Sequence, residues 1–328
     1  MSQTDRAIDT APPPPPPPPP STGRRSLGQD LATFFIFGEA VVILFLVPAA
    51  LQAKQPVVAV LSGIGCGILI AGGIRMRRDP PRTAVAFAPP PPPGVAVERR
   101  VPWDWTDFAM FFPGAFTAAQ LLAGVTLPIA DAVTGSNGSA QQAAEAFVSQ
   151  AAFYGGALFN VWLLVGLRRG GTLQDLGWRR FQWWWIPVAI VTAYLTLVLA
   201  DALQLAAQHL FPSAQNTQCQ AVKKDYGNFL ALAILVVSVM APLAEETIFR
   251  GFIYGWLARV MPVGFAIVIS GVIFGALHGV LLLLIPLWAV GVVLALLYRG
   301  SNSLWPGVVT HALFNLPGII AILSSPTC

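Results

Sequence analysis

A chain of 328 residues that is 55% hydrophobic and only 10% charged cannot cover a water-facing surface of ordinary size, because soluble domains carry roughly a quarter charged residues. The net charge of +4 does not point to nucleic acid, since every basic residue can be assigned to membrane topology. No nucleic-acid partner is expected. Three cysteines, Cys66, Cys219 and Cys328, are too few and too scattered for a disulfide framework or a thiolate metal site.

The first residues, 1–26, read as a disordered, proline-rich cytoplasmic tail in which Pro12 to Pro20 forms an extended, solvated polyproline run. No apolar core follows a basic start there, so no cleavable signal peptide is expected. Nine apolar segments come next, near 31–52, 55–74, 108–130, 146–167, 185–207, 228–250, 263–284, 286–299 and 304–323. Pro286, beside the gap between the seventh and eighth, can be a kink or a turn. The fold class is therefore all-α, a polytopic transmembrane helix bundle of about nine crossings with a cytoplasmic N-terminus. It divides into a membrane hairpin at 27–78, a proline-rich linker at 79–104 that holds Pro89 to Pro93, and a membrane domain at 105–328. The lipid bilayer, that of a bacterial cell membrane, is its first partner.

Charge sets the orientation. With the N-terminus inside, all sixteen arginines fall on the cytoplasmic side, whereas Lys54, Lys223 and Lys224 fall outside. The run from Trp178 to Trp185 mixes indoles with arginines ahead of a crossing and reads as an interfacial anchor. Cys219 and Cys328 share the outer side in this scheme, where they can pair. Glu39 and Asp201 read as packing or boundary residues, and His209 as solvated.

Ionisable groups inside apolar segments cost roughly 2.5–3.5 kcal/mol each, so those that persist usually have work to do. The informative ones are Glu245, Glu246, Arg250, His278 and His311, with the polar amide of Asn315 beside them. Glu246 and Arg250 are four apart, acid first, the favourable order for a helical ion pair. Glu245 is turned about 100° away and has no such partner. His311 and Asn315 share a face, as do Phe274 and His278. Sixteen residues separate Glu245 from Met261, and sixteen separate Pro262 from His278. A hairpin at Met261-Pro262 therefore returns His278 to the level of Glu245, near the cytoplasmic surface from which a substrate is expected to arrive. A carboxylate and an imidazole can share the proton of an attacking water, and a second imidazole and an amide can stabilise an oxyanion.

Glu245-Glu246-Thr-Ile-Phe-Arg250-Gly, Phe274-x-x-x-His278 and His311-x-x-x-Asn315 together resemble the three-motif signature of the CPBP (Abi/CAAX) family of intramembrane endopeptidases. The likeness covers about 228–323, with weaker similarity from Leu173 to Trp178. It implies a peptide hydrolase acting on a membrane protein or a lipidated peptide. By position, Glu245 with His278 activates water, His311 and Asn315 stabilise the oxyanion, and Glu246, Arg250 and Phe274 support the site. The cofactor expectation is either none or a divalent metal, zinc, held by Glu245, Glu246, His278 and His311. Other readings stay open: a non-catalytic immunity or maturation scaffold of the same family, a proton-coupled transporter, or a polar cluster that merely locks helices together.

Overall fold

The computed structural model describes residues 25–78, 101–135 and 138–325. Both proline runs and Cys328 lie outside the described residues. Among those described there is no strand. Eight helices are long and apolar enough to cross a membrane: α1 (Leu27–Gln52), α2 (Pro56–Arg78), α3 (Trp105–Thr134), α4 (Gly138–Arg168), α5 (Trp185–Leu210), α7 (Leu230–Val260), α9 (Leu281–Ser301) and α10 (Leu304–Ser324). Two shorter ones complete the order, α6 (Thr217–Tyr226) and α8 (Val263–Leu277). Phe45, Leu61, Val125 and Leu195 face outward, as lipid-facing side chains must. The chain is an integral, multi-pass membrane protein.

The seventh apolar segment forms the short α8, which ends before Pro286. Pro286 lies inside α9, while the chain turns at His278–Val280, where Gly279 adopts φ +68°. Only glycine takes that backbone readily, which makes it the stronger signal. The turn folds α9 back along α8. A Cβ on Gly271 would fall 2.8 Å from Trp288 O, and one on Gly275 would fall 2.7 Å from Leu284 O. This is the small-residue packing by which membrane helices approach closely.

The two ends of the bundle differ in charge. Backbone proximities gather one end: Gly28 meets Leu167 O, Arg259 donates to Val101 O and Trp103 O, Leu304 N–H donates to Gly177 O, and Gly300 packs on Trp185. That end carries Arg25, Arg75, Arg77, Arg78, Arg168, Arg169, Arg179, Arg180, Arg259 and Arg299. The other end, at residues 52–56, 131–135, 138, 210–230 and 324–325, carries Lys54, Lys223 and Lys224 and no arginine among the described residues. At the arginine-rich end Asp107, itself 0% exposed, pairs with Arg168 and Arg169 and tethers α3 to α4. Burial alone would raise the neighbouring Asp104 carboxyl. The Thr106 hydroxyl and the charge of Arg169, 2.8 Å away, instead hold it well below the usual carboxylate range.

Of the isolated polar residues, Asp201 and His209 are exposed. Glu39 is buried and accepts from Asn160 Nδ2 at 3.0 Å. Cys66 is a buried free thiol, and Cys219 is disulfide-bonded.

Candidate active site

The site is built on an irregular stretch of α7. Two π-helical segments, Leu235–Met240 and Glu246–Tyr254, flank a short α-helical one at Ala241–Glu245. Such wide turns frequently accompany functional sites. The two glutamates sit at the second junction.

Glu246 is the buried member. Its Oε1 lies 3.0 Å from Arg250 Nη1 and 3.1 Å from His311 Nδ1, and neither Glu246 nor Arg250 has exposed surface. Arg250 also donates to Gly291 O at 3.3 Å and sits over the Phe274 ring at 4.5 Å. The close approach of α10 requires a glycine. A Cβ on Gly307 would lie 2.9 Å from Glu246 Oε2, and without that clearance His311, one turn on, would be pushed away.

Glu245 faces the other way and is not solitary, contrary to the helical projection. Its Oε1 accepts from the Tyr154 hydroxyl at 2.8 Å. Its Oε2 lies 3.7 Å from His311 Nε2 and has no hydrogen-bond partner in the protein. With Nδ1 directed at the Glu246 carboxylate, His311 keeps a proton there and presents Nε2 to Glu245. So the imidazole beside Glu245 is His311. His278 Nδ1 donates to Phe274 O at 2.8 Å, an oxygen that can only accept. Phe274 separates the two imidazoles, its ring centroid 4.9 Å from that of His278 and 5.7 Å from that of His311.

Asn315 donates from Nδ2 to Val237 O at 2.8 Å, and local sequence explains why that carbonyl is available. In the first π segment Ala241 N–H bonds back to Val236 O. The next donor in that register would come from residue 242, which is proline and has none. Val237 O is left for a side chain on another helix.

Glu245, His278, His311 and Asn315 all line one cavity of about 1060 Å³, together with Phe274 and Tyr154. Glu246 and Arg250 stand behind it. The four residues considered as a zinc set do not gather into one among the described residues: Glu246 is engaged by Arg250 and His311, and His278 by Phe274 O. Tyr154 and Gly307 were invisible to the sequence reading. A tyrosine in an apolar segment and a glycine in a membrane helix are both commonplace, and only the fold shows what each faces.

Residues 227–317, which contain every one of these motif residues, match the family model described as Type II CAAX prenyl endopeptidase Rce1-like. Over those residues the chain is similar to the CPBP family. A curated relative, the candidate membrane peptidase YdiL of Bacillus subtilis (strain 168), is 30% identical over 131 residues, which make up 40% of this chain and 52% of that protein. The chain thus spans about half the length of the relative it matches. No solved structure matches the chain. The matched stretch takes in α7 to α10 up to residue 317. Tyr154, on α4, reaches the site from outside that stretch.

Proposed function

We propose that this protein is an intramembrane endopeptidase that hydrolyses a peptide bond of a membrane-associated or lipidated protein, using water activated between Glu245 and His311. One observation carries the reading. Glu245 Oε2 lacks a protein partner and stands 3.7 Å from His311 Nε2 at the wall of a cavity large enough for a peptide segment. A polar gap of that width suits a bridging water.

In this scheme the water oxygen attacks the scissile carbonyl as its proton passes to Glu245 Oε2. That proton then goes to the departing amine nitrogen, with His311 Nε2 positioned to relay it. Glu246 holds His311 through Nδ1, and Arg250 holds Glu246. Tyr154 fixes the Glu245 carboxylate through Oε1. Asn315 has one amide hydrogen on Val237 O and a second to offer an oxyanion. His278, whose Nδ1 proton is used on Phe274 O, donates from Nε2 only as the imidazolium.

The test is cleavage of a native membrane substrate by purified wild type, Glu245→Gln and His311→Ala. Loss of cleavage in both variants, with folding retained, supports hydrolysis at this site. Normal cleavage by both removes it. Intact binding of a partner by variants of a wild type that cleaves nothing would favour the scaffold reading.

A further inference from the structure

The cavity meets the two ends of the bundle differently. At the arginine-rich end the segment from Thr172 to Arg179 lies across the site helices and is tied to them. Leu304 N–H donates to Gly177 O at 2.9 Å, Tyr298 Oη to Leu176 O at 3.0 Å and Ser303 Oγ to Arg179 O at 2.7 Å. Trp178 Nε1 donates to Thr247 Oγ1 at 3.2 Å, on the helix that carries the glutamates. The fit is close: a Cβ on Gly251 would lie 2.7 Å from Leu176 O. Inside this strap, the Glu246–Arg250 pair is fully buried. A peptide approaching from that end meets a closed layer.

Toward the other end the cavity continues. Its wall runs from Glu245 past Ser149 and Gln142 on α4 to the exposed Lys224 on α6. Phenylalanines 111, 112, 116 and 153 make much of the interior, while Glu145, Lys224 and Asp225 are charged groups lining it near that end.

We propose that substrate reaches Glu245 through this arginine-poor mouth. Because arginine marks the cytoplasmic side, the scissile bond then belongs to the part of a membrane-anchored peptide that emerges on the non-cytoplasmic face, with apolar side chains flanking it. This reverses the side of arrival expected from the depth of the motifs alone, since motif depth is silent about which end is sealed. The proposal rests on the hydrolase reading for the chemistry and on the strap, the cavity and the arginines for the direction.

Two measurements test it, and the first needs no activity. Gln142→Cys is treated with a membrane-impermeant maleimide in right-side-out spheroplasts and in inverted vesicles, against unsubstituted protein. Labelling is expected in spheroplasts and lost in inverted vesicles, with the opposite pattern for Gln174→Cys on the strap. Labelling of Gln142→Cys only in inverted vesicles overturns the proposal. The second uses an internally quenched apolar peptide with an acyl anchor and a charged head that keeps it on one leaflet, with Glu245→Gln membranes as the blank. Cleavage is expected in right-side-out membranes alone, and cleavage confined to inverted ones overturns the direction. If neither preparation cleaves, even after detergent opens both faces, the hydrolase reading falls, and the labelling pattern alone decides the side of access.

Discussion

Two carboxylates on membrane-spanning helices, one buried and one half-buried, have opposite surroundings. Glu39 on α1 is 4% exposed, accepts from Asn160 on α4, and is closed over by α3 at Gly114, where a Cβ would fall 2.3 Å from Asn160 Oδ1 and 2.7 Å from Glu39 Oε2. Neither Glu39 nor Asn160 lines the cavity. Glu245 on α7 also has a single hydrogen-bonded partner, Tyr154, but its second oxygen stands beside an imidazole at a cavity wall. Both carboxylates sit within apolar helices. The difference is access: helices close around Glu39, so that it joins three of them, and a substrate-sized space is left beside Glu245.

That contrast can be broken by paired substitutions. Glu245→Gln should lower peptide hydrolysis by roughly 100- to 10,000-fold, the contribution of a general base, with little change in thermal unfolding in detergent. Glu39→Gln should leave hydrolysis per folded molecule unchanged, and a loss comparable to that of Glu245→Gln would erase the distinction. Glu246→Gln mixes the two classes. It leaves Arg250 buried without its counter-charge, which typically costs about 3–5 kcal/mol, so the melting temperature and activity should fall together. Tyr154→Phe removes a hydrogen bond to a carboxylate, which costs about 1.5–3 kcal/mol of stability, and should also depress kcat in the molecules that stay folded, because the Glu245 carboxylate is no longer fixed. Gly114→Ala should cost a similar amount of stability, about 1–3 kcal/mol through overpacking, while the surviving folded protein stays active.

The smallest effect concerns pH. Asp104 is held below its unfolded value of about 3.9. Its contribution to stability is therefore present above that pH and is lost as the pH falls toward the folded value. Asp104→Asn should flatten the acid side of a plot of melting temperature against pH, relative to wild type.

Much of this was legible beforehand. The apolar segments, the arginine asymmetry and the Glu246–Arg250 pairing follow from hydropathy and the helical repeat, because a membrane leaves few alternatives to a helix. The gathering of Glu245, His278, His311 and Asn315 around one space followed from motif spacing. What spacing cannot encode is direction between helices. A projection left Glu245 without company because Tyr154 arrives from another helix, and the family resemblance paired Glu245 with His278, whereas His311 Nε2 stands 3.7 Å from it. Pro286 could be a kink or a turn, and the turn fell instead where Gly279 takes a left-handed backbone.

Pro242 has no functional group, yet it shapes the wall of the cavity by withholding one. The acceptor it leaves free, Val237 O, serves Asn315 undivided. Replacing Pro242 with alanine would restore a backbone donor to the same oxygen, whose second lone pair the amide reaching across from α10 would then have to use. A substitution that makes α7 a better helix would thereby loosen Asn315.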